Sequence, residues 1–506
     1  MSKSIFTQVS GKKPATNTFN LSHDRKFSLK FGELIPCFVM DTLPGDKITM
    51  STSQMLRFAP LVAPVMHEVN VYTHFFFVPN RILWNNWENF ITGGEDGTSA
   101  PVFPTVRLGA SAALPGIGSL SDYLGIPCPV LFNPAVDLSA LPYAAYQRVY
   151  NDYYRDQNLI TAATDTVADG NNPTASLLSL RKRAWQHDYF TSALPWTQKG
   201  PEATIPIGNI DTLKLDSGGN LDATPVSTGV GRWFTDPITT SASLEGFNGT
   251  SWESAFLEAQ ATSIIDLRRA FKLQEWLEKN ARGGSRYIES ILVHFGVQSS
   301  DARLQRPEFL GGGSSPVTIS EVLQTSSTSA EPTPQGNLAG HGISAGANNS
   351  FSYRCEEHGY IIGIMSVMPK SAYFQGINKH FLKNDKFDFY WPSFAHIGEQ
   401  PIDNIELYVD TSASGSNNLT FGYTPRYAEY KFINSSVHGE FRTTLDFWHM
   451  SRKFSALPAL NSTFIEMDDA DVARCFAVTG SEKLYCHMYH RVKATRKMPY
   501  FGSPRL

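Results

Sequence analysis

The sequence contains little charge and little cysteine for its length. Only 18% of its 506 residues are charged, whereas an average soluble domain has roughly 25%. Because so little of the chain is suited to face only solvent, the composition favours a protein that buries much of its exterior against partners. A large, loop-rich monomer would have the same composition and stays open as an alternative. The five cysteines are scattered, which excludes a dense disulfide scaffold and fits a reducing cytoplasm.

Long apolar runs are also missing. The longest is YIIGIMSVM from Tyr360, far shorter than the roughly 20 residues that a membrane-spanning helix needs. The chain begins MSKSIFTQVSGKKPATN, which lacks the apolar core of a signal peptide. The sequence therefore predicts a protein without a membrane segment that stays in the compartment where it is made.

Motifs for catalysis and metal binding are lacking as well. The three glycines at 311–313 are followed by Ser-Ser-Pro and not by the lysine of a phosphate-binding loop. Cys486, His487 and His490 lie close together, but in a strand Cys486 and His490 point to one face and His487 to the other. The sequence therefore predicts no enzyme, no metal site and no cofactor.

Basic residues, in contrast, are concentrated at the two ends of the chain. Residues 1–30 hold six lysines and arginines against Asp24 alone, and residues 483–506 hold six with no acid. Such charge, interleaved with Tyr500 and Phe501, suits the phosphates and bases of a single-stranded nucleic acid. A tail that serves solubility and a tail that binds an acidic neighbouring subunit remain alternatives. The candidate nucleic-acid contacts are Lys12, Lys13, Arg491, Lys493, Arg496 and Lys497.

Aromatic residues are plentiful, and one stretch of them is unusual. Residues 67–87 read HEVNVYTHFFFVPNRILWNNW, a strand whose two faces both become apolar near Phe75. Such a strand must be covered on two sides, either by a second layer of the same chain or by another copy of it. The candidate residues for packing between subunits are Phe76, Trp84, Trp87, Tyr150 and Tyr153.

Strand patterns occupy both ends of the chain. Alternating residues predict strands within 26–83 and again within 351–495. Between them, residues 84–200 are predicted to form an insertion of helices and loops, residues 200–260 a surface-exposed insertion, and residues 311–350 a low-complexity loop. Because strands far apart in sequence must pair, the pattern predicts a mainly β fold, a jelly roll or a related sandwich.

Helical spacing is clear at three places in the middle of the chain. It predicts a helix from about Leu83 that ends at Gly93, a tyrosine-rich helix capped by Ser139, and an amphipathic helix from about Ile264 that ends at Gly283. These helices belong to the insertions between the two groups of strands.

Several long segments, in a fixed order, carry a resemblance to a known family. They include MLRFAPLVAPVMHEVNVYTHFFFVPNRILW from Met55, RAWQHDYFTSALPWTQKG from Arg183, FGYTPRYAEYKFINSSVHGEFR from Phe421 and MPYFGSPRL from Met498. The sequence resembles the major capsid protein of the Microviridae, small icosahedral bacteriophages with circular single-stranded DNA, and most closely their gokushovirus branch.

The resemblance implies one jelly-roll capsid domain over residues 1–506, an eight-stranded antiparallel jelly roll of the viral capsid type with long loop and helical insertions. Sixty copies would close a T=1 shell around the genome. The insertion at 200–260 would form a protrusion at the threefold axis that meets a host surface receptor. The host-facing candidates there are Trp233, Phe234 and Phe247.

The implied partners are other copies of the chain, packaged single-stranded DNA, and three proteins of the same virus: a small basic DNA-binding protein, a pilot protein and an internal scaffolding protein. The resemblance places the chain in the virion, assembled in the cytoplasm of the host bacterium. A soluble carbohydrate-binding or carbohydrate-cleaving jelly-roll protein, with residues 200–260 as its recognition loop, is the alternative from a different class.

Overall fold

The structure is a computed structural model. It describes residues 15–109, 115–130, 132–201, 203, 264–284, 286–325, 337–412, 415–478, 480 and 482–501, together with four two-residue strands between 214 and 256. The chain divides into two compact units, of which one consists of Gln198–Arg282 and the other of the residues on either side of it.

The large unit begins with strands. In strand β4 (Lys47–Phe58), exposed and buried residues alternate along almost its whole length. This alternation favours a strand in a sheet that has one face in the core and one in solvent. The turn between β3 and β4 is made by Gly45, whose φ of 91° a residue with a side chain rarely adopts. The first strands are β1 (Asn17–Asn20), β2 (His23–Leu29), β3 (Ile35–Thr42), β4 (Lys47–Phe58) and β5 (Val69–Pro79).

A layer of short helices follows. The first helix ends at Gly93 in the left-handed conformation, as its sequence predicts. The tyrosine-rich helix begins one residue later than predicted, with Ala140 at its cap, and continues into a π-helical turn over Tyr150–Tyr154. The elements are α1 (Trp87–Thr92), β6 (Thr105–Leu108), α2 (Leu120–Leu124), β7 (Val136–Ser139), α3 (Leu141–Val149) and α4 (Ala175–Leu178).

The smaller unit, Gln198–Arg282, contains one long helix. Its short strands form two antiparallel pairs, β8 with β11 and β9 with β10. On the surface of the helix, Glu275 forms ion pairs with Lys272 and Lys279, three and four residues away. The elements are β8 (Lys214–Leu215), β9 (Asp222–Ala223), β10 (Arg232–Trp233), β11 (Ala255–Phe256) and α5 (Ile264–Gly283).

The segment 311–350, predicted to be a loop, instead contains strands, so that prediction is wrong for the residues that the structure describes. Its glycines allow close approach of the neighbouring strand, since a Cβ at Gly312 would lie 2.5 Å from the ring of His74. A composition typical of loops therefore reflects tight packing here. The elements are α6 (Tyr287–Phe295), β12 (Glu308–Pro316), β13 (Thr318–Leu323), β14 (Leu338–Arg354) and β15 (Gly359–Pro369).

The last part of the chain mixes short strands with 3-10 turns before one long final strand. The region 351–495, predicted to contain strands, forms them only in part, because 3-10 turns such as Ala428–Tyr430 and Gly439–Arg442 lie between them. The elements are β16 (Ala372–Tyr373), β17 (Glu399–Asp403), α7 (Asn404–Leu407), β18 (Thr420–Pro425), β19 (Ser435–Ser436), α8 (Ser462–Ile465) and β20 (Leu484–Arg496).

Two antiparallel sheets organise the large unit. The first has the strand order β1-β20-β4-β14-β13, and β2 also pairs with β20. The second has the order β12-β5-β15-β3. Strands from the two ends of the chain thus lie side by side, as the sequence predicts for a mainly β fold.

The main core lies between these two sheets. Phe75 and Phe77 of β5 pack there with Met50 of β4 and Val492 of β20. A larger neighbouring cluster continues the same layer, with Val71 of β5 among its members. The inner faces of both sheets are therefore apolar, as in a β-sandwich.

A second core covers the opposite face of β5. Phe76 packs there beneath the helical layer, with the rings of Tyr153 and Phe309 at centroid distances of 4.6 and 5.5 Å. Tyr146 of α3 connects the helical layer to the segment before β3, because its hydroxyl donates a hydrogen bond to the Leu34 carbonyl at 2.8 Å. Both faces of β5 are thus covered by the chain itself.

This second core corrects the predicted subunit contacts. Phe76, Trp84 and Tyr150 are each only 1% exposed in the single chain, so they have no surface to offer to another copy. Trp87 and Tyr153 are half-buried in the same layer. A sequence shows that a strand needs cover on two sides, but it does not show which chain provides that cover.

The first prediction concerns this two-sided strand. Phe76→Ala should lower the free energy of unfolding by about 3–5 kcal/mol, because it removes a fully buried ring and leaves a cavity. Urea unfolding of the unassembled chain measures the change. The matched control is Phe381→Ala, since Phe381 is 74% exposed and its loss should change stability by less than about 0.5 kcal/mol. Equal effects of the two substitutions would contradict the assigned core.

A second prediction concerns acid stability. His490 is fully buried, with Nδ1 3.0 Å from the Thr52 hydroxyl and Nε2 3.1 Å from the Cys37 carbonyl. Burial lowers the pKa of His490 to about 4. Between about pH 6.5 and pH 4 its imidazole therefore stays neutral in the folded chain but becomes protonated in the unfolded chain. The stability present at pH 7 should fall between pH 6.5 and 4, by about 1.4 kcal/mol per pH unit for this group.

The measurement is urea unfolding at pH 7 and pH 5. His490→Gln should make the chain less sensitive to this pH change, although His67 and His74, whose pKa values burial also lowers to about 4, keep part of the dependence. His487→Gln on the exposed face of the same strand is the control. An unchanged pH dependence in His490→Gln would refute the assignment.

Candidate nucleic-acid interface

The first sheet has one face that the described residues leave open. Along β20, the buried residues Cys486, Met488, His490 and Val492 alternate with residues that point outward. The outward ones are Tyr485, His487, Tyr489, Arg491 and Lys493. The predicted separation of His487 from Cys486 and His490 is confirmed, and no group of three potential ligands in the described part of the chain is arranged to hold a metal ion.

The neighbouring strands add further cations to this face. Arg57 of β4 lies opposite Tyr485, and Lys47 of β4 lies opposite Arg354 of β14. Lys26 of β2 lies opposite His487. We call this surface the basic sheet face and define it by the exposed residues Lys26, Lys47, Arg57, Arg354, Tyr485, Tyr489, Arg491 and Lys493.

Most of these cations have no acidic partner among the residues that the structure describes. The acid on the face is Asp24, which pairs with Lys26 and lies 3.2 Å from Nε2 of His487. These contacts lower the pKa of Asp24. For the other five cations, the described residues provide no ion pair. The face therefore carries a net positive charge that an external anion would have to balance.

The two tyrosines give the face a second chemistry. Tyr485 and Tyr489 are 45% and 41% exposed, and on this face of β20 they alternate with His487 and Arg491. Aromatic rings beside lysine and arginine suit single strands, because every base has a flat face that can stack and the cations follow the backbone. The arrangement has no need of a particular base sequence.

Arg496 was predicted to contact nucleic acid, but it has a structural role instead. Its Nε lies 3.0 Å from Oδ2 of Asp46, whose side chain is 1% exposed, and Nη2 donates to the Asp41 carbonyl at 3.0 Å. Lys497 is exposed, although its stem lies against Gly45 in the same turn. Because Asp46 is buried, it requires a nearby cation, and Arg496 is committed to it.

The remaining predicted residues are distributed as follows. Arg491 and Lys493 lie together on the basic sheet face, two residues apart on one strand. Lys12, Lys13, Phe234 and Phe247 lie outside the described residues. Trp233 belongs to strand β10, and its host-facing role stays a proposal.

Sequence reasoning missed the residues that other strands supply. Lys47, Arg57 and Arg354 lie far from the basic tail in sequence, and only the strand pairing brings them next to it. The alternation along KITMSTSQMLRF was a signal for an open face on β4. No local pattern indicated that β4 pairs with β20.

Comparisons with known proteins agree with this architecture. A family model described as capsid protein (F protein) matches residues 7–506. Capsid protein VP1 of Chlamydia phage 1 is 34% identical, with 100% of this chain and 98% of the relative aligned. Capsid protein VP1 of Bdellovibrio phage phiMH2K is 37% identical, with 99% and 97% aligned, and that of Spiroplasma virus 4 is 32% identical, with 99% and 97% aligned.

The matches define a class first, the structural coat proteins of bacteriophages. The chain belongs to the capsid protein (F protein) family, and the resemblance to gokushovirus major capsid proteins is confirmed. It is a structural protein of the virion that assembles into a shell, and not an enzyme. Nothing in these matches supports a carbohydrate-binding protein. Among the described residues, no helix has the length and apolar character to span a bilayer.

A third prediction tests the basic sheet face on the unassembled chain. Binding of an oligothymidine should weaken with salt, and the double variant Arg491→Gln, Lys493→Gln should reduce the slope of log affinity against log salt by about 1.4, since each phosphate contact to a single strand contributes about 0.7. A fluorescence titration at several salt concentrations gives the slope.

The matched control is Arg107→Gln, Arg303→Gln. This variant removes the same charge from two exposed arginines outside the sheet and should leave the slope unchanged. An equal loss of slope in both variants would mean that only the net charge matters.

Proposed function

We propose that sixty copies of this chain close a T=1 icosahedral shell around a circular single-stranded DNA genome, with the basic sheet face turned toward the DNA. The observation that carries the proposal is this face, where five cations without described partners surround two exposed tyrosines in a member of a capsid family. Single-stranded DNA fits such a face, because its phosphates can pair with the cations and its bases can stack on the tyrosines.

Within this proposal the subunit is an eight-stranded jelly roll. In chain order the strands are β2, β3, β4, β5, β12, β14, β15 and β20. The first sheet places the first beside the eighth, then the third and the sixth, and the second sheet places the second beside the seventh, then the fourth and the fifth. This order supports two interleaved Greek keys, to which β1 and β13 add one strand each.

The remaining partners are proposed from the family resemblance. The insertion at 200–260, with Trp233, Phe234 and Phe247, would form the threefold protrusion for host attachment. A small basic DNA-binding protein, a pilot protein and an internal scaffolding protein would act with the chain during assembly in the bacterial cytoplasm. The division of the chain into a large unit and the separate unit Gln198–Arg282 supports an insertion at this place.

A fourth prediction tests the orientation of the shell and its copy number. Particles of the triple variant Arg57→Gln, Arg491→Gln, Lys493→Gln should form but contain less DNA than the wild type, because fewer cations neutralise phosphates inside. The ratio of absorbance at 260 and 280 nm reports the DNA content. DNA-free shells should weigh about 3.4 MDa by native mass spectrometry, sixty times the 56.1 kDa of one chain.

The control is again Arg107→Gln, Arg303→Gln, which should package a normal amount of DNA. Normal DNA content in the triple variant would show that the basic sheet face does not line the interior. A shell mass that corresponds to another copy number would overturn the T=1 architecture and leave the orientation as a separate question.

A further inference from the structure

A second exposed surface lies far along the chain from the basic sheet face and has the opposite chemistry. Between residues 381 and 433 the chain exposes large apolar side chains, among them Phe381 at 74% and Ile433 at 83%. We call this surface the aromatic shelf and define it by Phe381, Phe387, Phe389, Tyr390, Trp391, Tyr430, Phe432 and Ile433.

Contacts connect several of these side chains to one another. The ammonium group of Lys383 lies 3.7 Å from the ring centroid of Tyr430 and 5.7 Å from that of Phe389. Tyr430 in turn lies 6.4 Å from Tyr390. Phe381 lines a cleft of about 500 Å³ together with Phe432 and Ile433, which extends the surface beyond the rings.

The shelf is also held in place. Lys383 forms an ion pair of 3.1 Å with Glu429, and the two side chains are only 5% and 7% exposed. Gln400 donates to the same carboxylate at 2.8 Å. Trp391 donates from its indole nitrogen to the Lys386 carbonyl at 2.8 Å. Because these contacts hold Tyr430 and Trp391 in place, binding to those two rings costs little further side-chain entropy.

The size of the shelf indicates a protein partner. Eight side chains of roughly 200 Å² each, about half to four-fifths exposed, leave on the order of 900 Å² of apolar surface. The largest apolar patch on a typical monomer covers about 300–600 Å², whereas one side of a stable protein interface covers about 800 Å². The shelf therefore exceeds what a solitary chain exposes and matches one half of an interface.

The charges around the shelf favour a second copy of this chain over DNA. Between residues 379 and 433 five lysines and arginines stand among seven aspartates and glutamates, so the region repels a polyanion slightly and offers both signs to a partner of similar composition. We propose that the aromatic shelf is a contact surface between copies of this chain in the shell. This inference rests on the proposed assembly into a closed shell.

The test compares two pairs of substitutions in the full chain. Phe381→Ser, Ile433→Ser alters two of the most exposed side chains of the shelf and should leave the thermal unfolding of the single chain unchanged. It should lower the yield of closed particles in sedimentation at least tenfold. The matched control is Val102→Ser, Ile117→Ser, which alters two exposed apolar side chains outside both named surfaces and should form particles at the wild-type yield.

A second measurement needs no variant. Hydroxyl-radical footprinting of DNA-free wild-type shells should protect Tyr390 and Trp391 relative to the unassembled chain, whereas Tyr485 should remain as reactive as before. If the shelf residues stay reactive in intact shells, or the shelf variant assembles normally, the inference is overturned.

Other occupants have their own outcomes, and each of them overturns the inference. Normal assembly with reduced DNA would assign the shelf to the genome, and normal assembly with lost adsorption to the host would assign it to a receptor. Failure of the wild-type chain to form closed particles would instead refute the proposed function.

Discussion

The rest of the structure depends on one constraint in strand β5: near its centre both faces carry apolar side chains, so both must be buried. Phe75 and Phe77 fill the space between the two sheets, and Phe76 points the other way. A strand of this kind is stable only with a layer on each side, and each buried aromatic side chain contributes a few kcal/mol to stability. The helices inserted after β5 supply the second layer, so the long insertion is part of the fold's core.

The covering of one sheet on both faces determines what the other sheet can do. The second sheet lies between the first sheet and the helical layer, and the described part of the chain leaves the outer side of the first sheet uncovered. Its strands β4 and β20 alternate strictly because one face is buried and the other is wet. The polar residues on that wet side are therefore fixed in position by strand pairing. Burial of the inner face fixes the strand register, and the register in turn fixes the positions of the cations and tyrosines on the outer face.

The sequence allowed some of these features to be predicted, for physical reasons that differ from case to case. Alternation along β20 separates His487 from His490, and helices α1 and α5 end where Gly93 and Gly284 adopt positive φ. Such features are local. The strand partners of β4 are not local, so Lys47 and Arg57 were missed. Glycines that permit close packing resemble glycines that permit flexibility, which is why 311–350 was predicted to be a loop. Burial within one chain or between chains leaves the same apolar pattern, which led to the error at Phe76.

The different roles of two arginines at the end of β20 show that the number of basic residues in a segment does not by itself define a binding surface. Arg491 and Arg496 lie five residues apart on one strand, yet only Arg491 is available to a ligand, because Arg496 neutralises the buried Asp46. Removing Arg496 would leave a buried charge unpaired, which costs several kcal/mol. A rigid sheet face that holds its cations at set distances also differs from a loose tail, since every copy presents the same array. In the proposed closed shell many identical weak contacts would act together, so the genome would be held without any preference for its sequence.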